Sequence, residues 1–250
     1  MSDPNLVLGL ESRLINAWPS FDYQTYDGWM LRLAGGYTKR ANSATPLVPG
    51  AKLDDALIDH MIEQFLQANI RPTFRLNGLQ DPGTDEQLKE RGFLEVEPTR
   101  VLLAPIADDC TPDSDVLLES EVSQRWVQGA SHSYGGDKAD DAMLIQIASR
   151  IRQKAAFATL HLDDRPVGWG LAVAERGYVG LYDIVVAPDL RGIGLGRRVV
   201  GSLISWGCRE GAHRAYLQVR AENEIAGSLY STLGFEVAYD YTHRIMPGGA

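Results

Sequence analysis

The chain contains 250 residues, of which 44% are hydrophobic and 23% charged, and its formal net charge is −9 at pH 7. This length and composition are typical of a folded protein with one large domain or two of ordinary size. The acidic balance argues against nucleic acid or an anionic membrane surface as the main partner, and it permits a cationic acceptor such as an amine.

Signals for export or membrane insertion are not apparent in the sequence. The N-terminus lacks a basic stretch followed by an apolar run, and no segment approaches about 18 apolar residues. We therefore expect a cytoplasmic protein with no membrane partner. The two cysteines are Cys110, in a polar segment, and Cys208, in an apolar one, so they predict neither a disulfide framework nor a metal site.

In the first half of the chain, hydrophobic spacing and turn residues predict helices and short strands. The predicted helices are 6–17, 53–68 and 85–90, and the predicted strands are 28–33, 39–47, 74–76 and 99–103. The polar segment 107–115 contains a proline and lacks an apolar period, which predicts a linker. We therefore expect one domain over 1–106 and a second over 116–250.

The second half begins with strands in series and continues with strands that alternate with helices. The predicted strands are 116–118, 155–162, 167–174, 178–186, 214–219 and a last strand that ends at 246. The predicted helices are 121–131, 142–151, 195–206 and 225–233, with a loop at 132–140. This order predicts a mixed sheet in an α/β or α+β domain.

Residues 178–206 join an apolar strand to an apolar helix through a turn that carries Arg191, Gly192, Gly194 and Gly196. A glycine turn before a helix leaves backbone N–H groups unpaired at the positive end of the helix dipole. The turn therefore predicts a site for a phosphate or pyrophosphate, and the guanidinium of Arg191 matches phosphate oxygens.

Two common phosphate-binding motifs do not fit this turn. Both the G-x-G-x-x-G fingerprint and the Walker A loop, counted from Gly192, require glycine where the chain has Arg197. The turn instead resembles the acetyl-CoA-binding motif R/Q-x-x-G-x-G/A of the GCN5-related N-acetyltransferase (GNAT) superfamily, here residues 191–196. Residues 217–235 resemble the same family through Asn223, Ala226, Tyr230 and Gly234-Phe235.

The resemblance implies acetyl-CoA as the cosubstrate. It assigns the pantetheine to the main chain of the preceding strand, as an added strand would pair, and the pyrophosphate to the glycine turn. The residues that it implies for CoA are Ile184, Val185, Val186, Arg191, Gly192, Ile193, Gly194, Leu195, Gly196, Arg197, Asn223, Ala226 and Tyr230. Asn223 is also suited to cap the helix that follows it.

The resemblance also implies direct attack of an amine on the thioester, through a tetrahedral intermediate and without an acyl-enzyme. The hydroxyl of Tyr230 is placed to protonate the leaving thiolate, with plain core packing as the alternative. Asp183, a carboxylate in an otherwise apolar strand, is the expected general base. A structural role for Asp183 is the alternative, and Glu119 and Glu222 are the other candidate bases.

The acceptor pocket has the weakest signature in the sequence. The family usually builds it from the first helix–loop–helix of the catalytic domain and the last strands. The candidate residues are Trp126, His132, Tyr134 and either Tyr239 or Tyr241, together with Arg40, Asn42 and Ser43 on a predicted polar strand of the first half.

An internal repeat relates the two halves of the chain. A shift of 142 residues places Phe74 on Tyr216 and Gly92-Phe93 on Gly234-Phe235. It also places Pro49 on Arg191, and Lys52 and Asp54 on two of the glycines, which removes features that a phosphate needs. We therefore predict two tandem GNAT-like domains, each a mixed, largely antiparallel sheet flanked by helices, with a degenerate first copy.

The sequence thus predicts an enzyme that transfers acetyl from acetyl-CoA to a primary amine of a small molecule or peptide. Two alternatives stay open: a CoA-binding regulatory module without turnover, and an acyltransferase with another acyl group or acceptor. The oligomeric state, a homodimer included, is open as well.

Overall fold

A computed structural model describes residues 3–107 and 111–248. These residues form two compact units. The first contains the described residues up to Val101 together with Val219–Glu224 and the residues from Val237 onward, and the second contains Leu102–Gln218 and Ile225–Glu236. The predicted domains 1–106 and 116–250 stay a prediction, and residues 108–110 of the predicted linker lie outside the described residues.

The helices and strands are numbered in chain order. The helices are α1 (Pro4–Ala17), α2 (Asp55–Gln67), α3 (Thr84–Glu90), α4 (Gln124–Ser133), α5 (Lys138–Ala148), α6 (Leu195–Arg209) and α7 (Glu224–Thr232). The strands are β1 (Asp22–Tyr26), β2 (Trp29–Leu33), β3 (Ala44–Pro46), β4 (Thr73–Leu76), β5 (Leu94–Pro105), β6 (Val116–Glu119), β7 (Lys154–Leu162), β8 (Arg165–Glu175), β9 (Tyr178–Val186), β10 (Arg214–Arg220) and β11 (Glu236–Ile245).

In the first unit the strands follow the order β1-β2-β3-β4-β11. β3 and β4 are parallel, and the other neighbouring strands in this order are antiparallel. The hydrophobic core of this unit joins β2 and β4 to α2 through Trp29, Leu31, Phe74, Met61 and Phe65, all fully buried. Alternate residues of the same strands are polar: Arg32 and Arg75 are each 1% exposed. The two kinds of residue occupy opposite faces because side chains alternate along a strand.

In the second unit the strands follow the order β10-β9-β8-β7-β6, and only the β9–β10 pair is parallel. Consecutive residues of β8 show how the helices cover this sheet. A Cβ atom at Gly170 would press on Val199 and Leu203 of α6, whereas Trp169 lies directly against Gly129 of α4. Helices α4 and α6 therefore cover opposite faces of β8.

The structure corrects some predicted boundaries. The predicted strand 39–47 is a 3₁₀ turn at Lys39–Ala41 followed by β3, so Arg40, Asn42 and Ser43 do not lie on a strand. The side chain of Asn42 explains the turn, because it accepts from the N–H of Ala34 at 2.6 Å and donates to the carbonyl of Thr38 at 2.8 Å. The prediction of a loop at 132–140 was also too wide, since His132 ends α4 and Lys138 begins α5. Strand β1 was not predicted.

The 142-residue repeat is visible in the local structure. α2 and α6 end at Gln67 and Arg209, and α3 and α7 end at Glu90 and Thr232, each pair 142 residues apart. The turn after each shorter helix is also the same: Gly92 and Gly234 have φ of 83° and 80°. The following amide donates to the equivalent carbonyl, Phe93 to Leu88 and Phe235 to Tyr230. The shift, however, places the long strand β9 on residues 36–44, of which only Ala44 lies in a strand, the three-residue β3.

None of the helices in residues 3–107 and 111–248 combines the length and the apolar character needed to cross a membrane.

Candidate active site

The centre of the candidate site is a β-bulge in β9. Strands β8 and β9 pair Leu171 with Tyr182 and then Trp169 with Val185, so Asp183 and Ile184 together face the single residue Gly170. Asp183 adopts φ of 48°, a left-handed conformation that aspartate tolerates better than most residues. The bulge bends β9 and changes the direction of its side chains at the one carboxylate of the strand.

Strand β9 extends past the region where it pairs with β10. Their parallel register runs from Tyr178↔Arg214 to Leu181↔Leu217, and β9 then continues through the bulge to Val186. This places residues 183–186 beyond the paired region, where the main chain of a strand is suited to accept an extended ligand.

The turn after β9 forms an open cradle at the start of α6. Gly192 and Gly194 have φ of 82° and 89°, and a Cβ atom on either would have no heavy atom within 4 Å. The first bonds of the helix run from the N–H of Arg197 and Arg198 to the carbonyl of Gly194, at 3.1 and 3.4 Å. The amides that precede them therefore lie at the positive end of the helix dipole, in a geometry that fits an anion.

The side chain of Arg191 reaches back from this turn. Its Nε donates to the carbonyl of Val186 at 3.1 Å, and its Nη2 donates to the carbonyl of Ser133 at the end of α4 at 2.9 Å. A guanidinium has five N–H groups, so three stay available for an anion. Arg197, on the first turn of α6, donates to Oγ1 of Thr232 at 2.9 Å.

Tyr230 on α7 is 7% exposed, and its ring meets that of Phe235 edge-on at 5.8 Å between centroids. Burial raises the pKa of Tyr230 to about 12. The hydroxyl is therefore protonated at neutral pH. Asn223 and Ala226 are the other two residues of 217–235 that were predicted to bind CoA. Ala226 lies on α7, and Asn223 lies directly before this helix and belongs to the first compact unit.

Residues 7–244 match the family described as "Probable histone acetyltransferase Rv0428c C-terminal". The chain belongs to this family of acetyltransferases. A relative from Bacillus subtilis, the uncharacterized N-acetyltransferase YobR, is 27% identical over 235 residues, which cover 92% of this chain and 94% of the relative.

Solved structures show the same fold. A GCN5-related N-acetyltransferase from Kribbella flavida superposes with a TM-score of 0.71 at 18% identity, over 98% of this chain and 96% of the other. A tandem GNAT protein from the clavulanic acid biosynthesis pathway superposes with a TM-score of 0.60 at 13% identity, over 87% and 77%. The predicted GNAT superfamily, mixed α/β fold and N-acetyltransferase class are confirmed.

Of the residues predicted for the acceptor pocket, the structure brings Tyr134 to the bulge. The hydroxyl of Tyr134, whose side chain is 61% exposed, donates to the carbonyl of Ile184 at 3.1 Å. Nε2 of His132 lies 3.3 Å from Oδ2 of the buried Asp141. Trp126 is fully buried and donates through Nε1 to the carbonyl of Ala158 at 3.0 Å, as a core residue does.

The acceptor candidates that lie in the first compact unit have structural partners. The guanidinium of Arg40 lies 4.4 Å from the centroid of the Trp18 ring, and Asn42 is 3% exposed within its turn. Tyr239 donates to Glu11 at 2.5 Å, and the ring of Tyr241 lies under the guanidinium of Arg75. These contacts account for the four side chains without a substrate, and their substrate role stays a prediction.

The other candidate bases are Glu119 and Glu222. Glu119 accepts a bond from Ser123 at 3.4 Å, and the side chain of Glu222 is 78% exposed. Sequence reasoning missed Ser133, whose main-chain carbonyl holds Arg191. A main-chain acceptor has no signature in the sequence, and the only nearby signal is the Gly135-Gly136 pair that follows α4.

Proposed function

We propose that this acetyltransferase transfers an acetyl group from acetyl-CoA to a primary amine. The observation that carries the proposal is the bulge at Asp183 on a strand that leads directly into the open glycine cradle of α6. One continuous segment thus offers a carboxylate at the bulge, main-chain groups for an extended chain after it, and amides for a phosphate at the start of α6.

The cradle has the chemistry that the pyrophosphate of CoA requires. The amides near Gly194 and the remaining N–H groups of Arg191 supply donors and positive charge to its anionic oxygens. The carbonyls and amides of Ile184 and Val186 would pair with the amides of the pantetheine, and Ile193, which is 64% exposed, offers an apolar surface beside the loop.

The amine is mostly protonated near neutral pH, so two protons leave its nitrogen over the whole reaction and one proton reaches sulfur. Asp183 is the proposed base: directly or through a water, it takes the first proton and so frees the lone pair that attacks the thioester carbonyl. The nitrogen of the tetrahedral intermediate loses the second proton to solvent. As the carbon–nitrogen bond forms and the carbon–sulfur bond breaks, Tyr230 donates its proton to the leaving thiolate. The two residues exchange their protons with solvent afterwards, and no acyl-enzyme is needed.

The acceptor is proposed to be the amine of a lysine-containing peptide or of a small molecule. The family description names a probable histone acetyltransferase, and a protein with net charge −9 attracts cationic acceptors in general. A CoA-binding module without turnover is the alternative, because a cradle and a bulge alone suffice for binding.

The test combines calorimetric titration with CoA and a transfer assay with acetyl-CoA. The assay compares basic peptides, their acetylated-lysine counterparts and small primary amines, with thiol release and product mass as readouts. Transfer to unmodified amines alone supports the proposal. Binding without transfer to any amine favours the module, and failure to bind CoA rules out both.

A further inference from the structure

The side chain of Tyr134 reaches into the main chain that the proposed function assigns to CoA. Its hydroxyl donates to the carbonyl of Ile184, the residue that follows Asp183 in the bulge, at 3.1 Å. Tyr134 is 61% exposed, so its side chain borders solvent at this place. We propose that Tyr134 is a gate that occupies the thioester end of the CoA site until the cosubstrate displaces it; this inference rests on the proposed function.

The chain around Tyr134 is hydrogen-bonded on both sides. On one side, Arg191 ties the carbonyl of Ser133 to the cradle at 2.9 Å. On the other side, Gly135 has φ of 86°, and the N–H groups of Gly135 and Gly136 donate to the carbonyls of His132 and Ser131, each at 3.0 Å. α5 begins after Asp137, whose side chain caps it. We expect the displacement of Tyr134 to release the two glycine bonds while the cap keeps α5 in place.

Two buried polar atoms lie on the helices that this connection joins. Oγ of Ser131 and Oδ1 of Asp141 have no hydrogen-bond partner within the described parts of the chain, and their residues are 2% and 4% exposed. A water molecule or a hydrogen-bond donor that reached these atoms would stabilise them.

The consequence is an order of binding. When CoA displaces it, Tyr134 moves away from Ile184. Tyr134 lies on the connection between α4, which carries His132, and α5, which carries the partner of His132, Asp141. The segment that the family resemblance assigns to the acceptor therefore rearranges only once CoA is in place. Arg191 couples the two events, because one side chain contacts the cradle strand and the end of α4.

The decisive variant is Tyr134→Phe, which keeps the ring and removes the competing bond. Because one neutral hydrogen bond is lost only from the CoA-free state, we expect CoA to bind about two- to tenfold more tightly. Tyr23→Phe is the matched control, since Tyr23 is 66% exposed and lies on β1. Calorimetry measures both variants, and thermal melting verifies their folding.

Hydrogen exchange of residues 134–137 provides a second readout. In the wild type, the amides of this connection should exchange faster with saturating CoA than without it. Without CoA, they should exchange faster in Tyr134→Phe than in the wild type. If the wild type binds CoA and Tyr134→Phe binds it with unchanged or lower affinity, the gate is overturned and the proposed function stands. If the wild type does not bind CoA, the proposed function fails and the gate fails with it.

Discussion

Arg75 lies bidentate on Glu11 in the interior of the first unit. Its Nε and Nη2 donate to the two carboxylate oxygens at 2.9 and 2.7 Å, and the two side chains are 1% and 0% exposed. Tyr239 adds a third bond to Glu11. Arg32 is also buried nearby, and burial followed by the charge of Arg75 lowers its pKa to about 10. Glu11 is therefore the carboxylate that balances the buried cations of this cluster.

Glu11→Gln should strongly destabilise the protein. The amide removes the negative charge and leaves Arg75 buried without a counter-ion, for which a loss of about 3–5 kcal/mol in the free energy of unfolding is expected. Glu210→Gln is the matched control, because Glu210 pairs with the exposed Lys154 and should cost at most about 1 kcal/mol. Denaturant unfolding measures both, and equal small losses would contradict the assigned role of Glu11.

Acid should remove the same stabilisation from the wild type. Burial alone would raise the pKa of Glu11, but the charge and hydrogen bonds of Arg75 outweigh it and hold the pKa below its ordinary 4.5. A lowered folded-state pKa stabilises the fold above pH 4.5, and the contribution is lost as the pH falls through the folded-state value. Unfolding curves between about pH 7 and 3 should show this loss in the wild type and a smaller one in Glu11→Gln.

Arg191→Ala should weaken CoA binding about ten- to a hundredfold, because a charge-assisted contact to phosphate is lost. Lys52→Ala, at the equivalent turn of the first half, should leave the affinity unchanged. Calorimetric titration compares the two. Equal effects of both substitutions would contradict the assignment of the cofactor site to the second copy alone.

Asp183→Asn should lower turnover roughly a hundredfold or more while CoA binding persists, because the base is lost. Asparagine also tolerates the left-handed backbone, so the bulge is kept. Asp163→Asn is the control, since Asp163 has φ of 49° in the β7–β8 turn. Near-normal turnover of Asp183→Asn between about pH 6 and 9 would exclude Asp183 as the base.

Local patterns predicted much of this fold. Strand β9 has the predicted bounds, and the β7–β8 hairpin and most helices lie within a few residues of theirs, because apolar periodicity and turn residues act over short distances. The strand predicted over 39–47 failed for a tertiary reason. The side chain of Asn42 satisfies several backbone groups of its turn, and such a contact leaves no periodic signal.

The candidate site also has a part that the sequence predicted and a part that only the tertiary structure decided. The sequence alone determined the cradle, because glycines at 192 and 194 permit the positive φ that the turn adopts, and it also identified Asp183 as a carboxylate in an apolar strand. Only the tertiary structure placed Asp183 in a bulge opposite Gly170 and joined Tyr134 to Ile184 and Arg191 to Ser133. These relationships depend on strand register and on main-chain carbonyls, which every residue carries and no sequence pattern distinguishes.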